Sequence, residues 1–267
     1  FDEFGLYLVH HNRWVVSAAD NNAGERLGRE YSVLTGKRLG KRLGARFAQR
    51  QVRRLPYLFS VAPAGYRRPG LGADLTPPAR EGFPPTHGLL DEACALWLEA
   101  VEAVLHRQPY LLGEQFTLAD ASVYGEIMMN LSDPSAERLI QARAPCAWDW
   151  CRAIAAGAHR GQRGGELSLN ENLAPLMEIT AKTYGALMQQ NEAAWKEATA
   201  KGETLFNERA FNRGRALYEG ELLGRSFRHV VKTFQVRSWQ DLRARWNALT
   251  DAQRAQVESL YPIGGLF

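Results

Sequence analysis

Residues 109–125 read Pro-Tyr-Leu-Leu-Gly-Glu-Gln-Phe-Thr-Leu-Ala-Asp-Ala-Ser-Val-Tyr-Gly, and this stretch restricts the fold more than any other. Gly113 ends one segment, a short polar turn follows, and Thr117 and Asp120 stand at the spacing of a capping box. In such a box the Thr117 hydroxyl accepts from the Asp120 amide, and the Asp120 carboxylate accepts from the Thr117 amide. Aspartate is the shorter variant of the usual glutamate or glutamine, and its charge favours the positive end of the helix dipole. The helix that begins here carries Leu118, Ala119, Ala121, Val123, Tyr124, Ile127, Met128, Met129 and Leu131. It is apolar on most faces, so burial is expected. A buried helix start cannot leave its first amides to water, which makes a side-chain cap close to obligatory.

Elsewhere the period is helical almost throughout. The pattern predicts helices near 1–17, 20–33, 37–54, 89–107, 118–131, 135–143 and 146–156, then 172–200, 238–248 and 250–260. Between 55 and 88, seven prolines and five glycines exclude any regular element beyond a brief extended stretch at Tyr57–Ala62. Gly157–Gly165 reads as a flexible, basic hinge that divides the chain into 1–160 and 161–267. Beyond it Leu173, Leu176, Met177, Thr180, Tyr184 and Leu187 place an apolar stripe on a long helix. No sheet of any size is predicted, so the fold class is all-α.

At 267 residues, 45% hydrophobic and 23% charged, the chain can bury one or two sizeable cores. No apolar run approaches the ~18–20 residues of a membrane span. The chain opens on Phe1-Asp2-Glu3-Phe4-Gly5-Leu6-Tyr7-Leu8, with neither an initiator Met nor a signal-peptide pattern, and already alternates like the middle of an amphipathic helix. A segment upstream of Phe1 is therefore expected. Cys94, Cys146 and Cys151 form no disulfide framework and match no zinc spacing. Cys94 falls on the apolar face of a helix, as a buried free thiol does, and a reducing, cytoplasmic setting is expected.

Lys37–Arg54 holds eight basic residues and no acidic one. Arg38, Arg42, Arg46, Arg50 and Arg54 follow at i+4 and form one stripe on a helix, with Leu39, Leu43 and Phe47 beside it. Such a helix suits an anionic partner: a charged substrate, an acidic protein surface, nucleic acid or lipid head groups. The net charge of only +4 leaves a second possibility open, that acidic residues elsewhere neutralise the stripe internally. Gly40 and Gly44 each cost roughly 1 kcal/mol of helix propensity relative to alanine. The stripe lacks the interleaved aromatics of single-strand binders, so nucleic acid is not expected.

Most catalytic patterns fail. No Gly-x-Ser-x-Gly elbow, no phosphate-binding Gly-x-x-x-x-Gly-Lys-Ser/Thr loop and no His-Glu-x-x-His occurs. His10 and His11 are neighbours and point ~100° apart on a helix, so they do not share a metal. His87, His106, His159 and His229 are scattered without ligand spacing. No metal site is expected.

The words Leu-Leu-Gly-Glu-x-Phe-Thr-Leu-Ala-Asp-Ala-Ser-Val-Tyr-Gly resemble the hallmark of the C-terminal helical domain of glutathione transferases. Leu89–Leu105 is similar to the long helix before that motif, Asp133 to Trp150 to the segment after it, and 1–56 to the first helices of the domain. The likeness covers roughly 1–160 and is strongest at 109–125. It implies a transferase-like helical bundle over 1–160 with additional helices over 161–267, a stretch that runs past the usual end of the fold and is compatible with larger bacterial members. A complete transferase begins with a thioredoxin-like domain, of which this sequence carries no trace. In the family that domain binds glutathione and stabilises its thiolate, while the first long helix of the helical domain adds the wall for the electrophile. Carried over, the wall candidates are Tyr7, His10, His11, Asn12 and Trp14, of which Tyr7, His11 and Trp14 share a face. Gly113, Thr117 and Asp120 take folding roles. The resemblance also implies glutathione as co-substrate, an upstream thioredoxin-like partner domain and a homodimer. Transferase-like helical domains also serve as non-catalytic assembly modules, and the basic stripe would then be an interaction surface.

Overall fold

The computed structural model describes residues 2–160, 164–261, 263 and 265–267. Phe1 and residues 161–163 of the expected hinge lie outside the described residues. The chain is mostly helical, with one two-stranded antiparallel ribbon among the described residues. The first helix α1 (Asp2–His11) runs into a π-helical turn at Asn12–Val16, and α2 (Ala23–Thr35) and α3 (Lys37–Arg54) form a long hairpin. After an irregular stretch come α4 (His87–Leu105), α5 (Leu118–Leu131), α6 (Pro134–Arg143) and α7 (Pro145–Ala155). The expected helix over 172–200 is broken by a second π turn, at Ala181–Gly185, into α8 (Ala174–Thr180) and α9 (Ala186–Ala200). The chain closes with α10 (Glu208–Asn212), β1 (Leu217–Leu222), β2 (Arg225–Val230), α11 (Thr233–Asn247) and α12 (Asp251–Leu260).

The central rod is α4. Leu89, Leu90, Ala93, Leu98, Val101 and Val104 are all sealed from solvent, and α1, α6, α7 and α8 pack around it. The expectation that α5 is buried on most faces needs correction: it buries Val123 and Ile127, whereas Leu118 is 86% and Met129 39% exposed. Its capped end, however, is interior. The reciprocal Thr117/Asp120 box forms, with the Thr117 amide 2.8 Å from one Asp120 oxygen. The other oxygen accepts from the Leu111 amide at 2.7 Å, a bond that spacing alone does not announce. Gly113 has φ 104°, and a Cβ there would lie 2.6 Å from the Glu166 carbonyl.

Residues on both sides of the expected 160/161 boundary build one core, in which Phe4, Leu90 and Ile127 join Leu187, Phe227 and Trp239. The β-ribbon was not foreseen. Its two-residue turn, Leu223-Gly224, has positive φ at both positions (49° and 70°), the geometry of a type I′ hairpin. Gly220 lets the ribbon lie against α9, since a side chain there would strike Gln190 and the Phe227 ring. At 57–62, Leu55–Leu58 forms a 3-10 turn instead of an extended stretch.

Replacing Asp120 by alanine strips acceptors from the Leu111 and Thr117 amides in a dry site. Urea unfolding is expected to lose about 3 kcal/mol for Asp120→Ala and about 1 for Thr117→Ala. A loss below ~0.5 kcal/mol for Asp120→Ala would mean the carboxylate is not holding this junction.

Candidate functional site

The structure separates the five wall candidates into two sets. Tyr7, His11 and Asn12 are fully interior. The Tyr7 hydroxyl accepts from Gln235 Nε2 at 3.0 Å and lies 3.2 Å from His229 Nε2, both supplied by the C-terminal part of the chain. Asn12 donates to the Cys94 sulfur at 3.4 Å. His10, which is half-buried, and one edge of Trp14, which is otherwise as buried as Tyr7, line a groove of about 480 Å³ together with Arg13, Arg26, Phe47 and Gln51. The π turn makes this division: it brings Asn12, Trp14 and Val15 inward and leaves Arg13 beside the end of α5. There Arg13 donates to the Met129 carbonyl at 2.6 Å and to Asp133 Oδ2 at 2.7 Å.

His11 sits between Asp91 and Ser60, with Nε2 2.9 Å from Asp91 Oδ1 and Nδ1 3.0 Å from Ser60 Oγ. The order of groups is that of a hydrolytic triad, but the access is inverted. Ser60 has no exposed surface while the Asp91 side chain is largely open to solvent. A nucleophile must reach substrate, so this row serves packing and not acyl transfer.

The basic residues behave differently from either set. Lys37–Arg54 is helical from end to end, and Arg38, Arg42, Arg46 and Arg50 are exposed along it. Arg54 pairs with an acid, Glu208 at 2.9 Å. Among the described residues no ion pair engages Lys37, Arg38, Lys41, Arg42, Arg46, Arg50 or Arg53. Internal neutralisation of the stripe is thereby corrected for all but Arg54 among the described residues, and Asp20, Glu92, Glu99, Asp133 and Glu192 of the body pair with other cations. The glycines that weaken α3 on paper are what lets it pack. A Cβ on Gly24 would stand 2.9 Å from the Gly44 carbonyl and one on Gly28 3.0 Å from the Gly40 carbonyl, so the two helices touch backbone to backbone.

Two further groups escaped the sequence reading. His229 and Tyr218 of the ribbon enclose the Tyr7 hydroxyl, and burial pushes the imidazole down and the Tyr218 phenol up. Lys232 lies with its Nζ 3.1 Å from the centre of the Tyr57 ring, and burial with Arg54 close by brings its amine down to about 7. Nothing in the spacing of the residues around Lys232 marks it in the sequence.

All three thiols are shifted toward the protonated form. Burial pushes Cys94 up to about 11 and Cys151 to about 12, and Cys146 is raised by its hydrogen bond to Glu102 and by desolvation. All three are free. Among the described residues no group of His, Cys, Asp and Glu is arranged to hold a metal ion, and no helix is long and apolar enough to cross a membrane.

Comparison with known proteins returned no matching family model, no matching curated protein and no matching solved structure.

The interior histidines set a pH response. Burial lowers His10 to about 4, helped by Arg13 and Arg54, and lowers His87 to about 3, helped by His11. In the unfolded chain these rings bind a proton below about 6.5. Between ~4 and ~6.5 the unfolded state therefore holds more protons, and stability falls as pH drops through that window; above ~7 these rings contribute no slope. Unfolding free energy at pH ~4.5 is expected to be about 5 kcal/mol below its value at pH ~7 on account of these two rings, with His87→Gln removing about half the difference. An equal slope in the variant would discharge His87 from this role.

Proposed function

We propose that this chain is the helical, co-substrate side of a glutathione-transferase-like protein, joined in function to a thioredoxin-like domain that holds glutathione. The observation that carries the reading is the interior Thr117/Asp120 box at the start of α5, following the long α4 and packed beside α1. The groove edged by His10 and Trp14 is the electrophile's place. Leu6 of α1 and Met129 of α5, which keep 44% and 39% of their surface open, offer the partner domain an apolar footing.

In the proposed reaction the glutathione thiolate attacks the electrophile, a carbon–sulfur bond forms, and the leaving group departs with its electron pair. The rate depends on how far the site favours the thiolate over the thiol. The chain's own candidates do not supply that bias: the Tyr7 hydroxyl is engaged and raised by burial, and the thiols lie above their ordinary value. Activation therefore falls to the partner domain, and this chain's part is to shape the groove and exclude water from it.

Conjugation of chlorodinitrobenzene, assayed for the full gene product and for residues 1–267, tests the division. Activity is expected from the full product only, with kcat/KM for the electrophile down about tenfold in His10→Ala and the KM for glutathione unchanged. Strong activity from residues 1–267 alone would refute the assignment of roles. No activity from the full product would favour a second reading, a non-catalytic transferase-like assembly module, which the unpaired stripe on α3 supports.

A further inference from the structure

The hairpin of α2 and α3 turns at Gly36, where φ is 81°. Val33 and Leu34, in the last turn of α2, are 85% and 84% exposed, and Tyr31 and Leu39 are exposed beside them. Lys37, Arg38, Lys41 and Arg42 follow at once, all exposed and without ion pairs among the described residues. Single exposed leucines are ordinary. Four apolar side chains gathered at the end of an arm and backed by a collar of cations are not, because each property gains from the same kind of surface.

We infer that the tip of this arm docks on an anionic lipid bilayer. Val33 and Leu34, flanked by Tyr31 and Leu39, enter the boundary between head groups and acyl chains, while Lys37, Arg38, Lys41 and Arg42 meet the phosphates. The division of apolar from basic groups is that of an interfacial element, which lies in the membrane surface without spanning it. Charge complementarity selects this occupant. Seven cations of α3 stand without an ion pair among the described residues, so an anionic surface relieves their mutual repulsion, whereas the same stripe on a second copy of the chain would add to it. A single-stranded nucleic acid would need rings to stack on, and the tip presents one, Tyr31. The arm acts as a unit, because Gly24, Gly28, Gly40 and Gly44 hold its helices at backbone contact. The inference rests on the arm alone and stands whether or not the chain takes part in conjugation.

Flotation of residues 1–267 with vesicles of phosphatidylcholine, with and without phosphatidylglycerol, tests it. Binding is expected on the anionic vesicles only, weakening steeply with salt. Each cation near such a surface contributes about fivefold in partitioning, so the double variant Lys41→Glu, Arg42→Glu should lose at least twentyfold. The double variant Val33→Ser, Leu34→Ser should lose about tenfold at low and high salt alike, with helicity and unfolding midpoint unchanged because both positions are solvent-exposed. Equal binding to neutral vesicles would overturn the proposal, and so would binding that ignores the serine variant. It would also fall if the chain left vesicles alone and instead formed a dimer that the serine substitutions dissolve, or shifted a single-stranded oligonucleotide.

Discussion

The Asp120 carboxylate has no exposed surface, yet it is held by donors on two separate segments, the Leu111 and Thr117 amides, and by the Thr117 hydroxyl. A buried carboxylate is tolerated only where several donors replace its lost water, and amides aimed at a charge make the stronger kind of hydrogen bond. The consequence reaches beyond one helix start. Leu111 belongs to the loop that leaves α4, so the same charge fixes the angle between α4 and α5. The next residues of that loop hold the chain where it returns after the hinge region: Leu112 accepts from the Ser168 amide, and Glu166 accepts from Glu114. Gly113 makes the approach possible, having no side chain where the Glu166 backbone passes. The chain's return to the shared core is thus seated on a short stretch whose geometry one carboxylate helps to set.

What the sequence made legible follows from which forces are local. Helix positions came through because the 3.6-residue period and the Thr-x-x-Asp spacing are written within a few residues. The ribbon did not, because its turn uses Leu223-Gly224 in place of the Asn-Gly or Asp-Gly that normally marks positive φ at both positions. Tyr7, His11 and Trp14 do share an inward face, as the i, i+4, i+7 rhythm predicts. Whether that face lines a cleft or a core depends on what covers it, and the cover is His229 and Gln235, more than two hundred residues downstream. The π turn at Asn12–Val16 then keeps Arg13 outward between the inward Asn12 and Trp14, a pattern that no 3.6-residue template contains.

The glycines of the arm show how a local rule reverses when packing is added. Gly40 and Gly44 weaken an isolated helix. Facing Gly24 and Gly28 at the same spacing, they let two backbones close to a distance that any side chain would forbid. The stabilisation comes from dispersion between closely packed atoms, and the result is a narrow, two-helix ribbon. A ribbon that thin has little interior in which to pair its charges, which is why the arginines of α3 remain solvated along most of its length.

Burial and charge are therefore segregated in this molecule. Apart from paired carboxylates such as Asp133 and Glu192 and the hydrogen-bonded Asp120, many ionisable side chains of the body are driven toward their neutral form: His10, His87 and His229 are pushed down, Tyr7 and Tyr218 up, Cys94 and Cys151 up. Desolvation leads in every one of these cases, as expected where neighbouring side chains supply few opposite charges. The arm carries the opposite pattern, with cations in water and apolar groups at its tip. Lys232 and Arg54 mark the seam, where the last residue of the stripe meets Glu208 and the buried amine beside it is driven toward neutrality. The arm thus gathers unpaired cations and apolar groups in one place, although the body adds exposed cations of its own at Arg209, Arg213 and Arg237, while chemistry that needs a dry cavity must lie against the body.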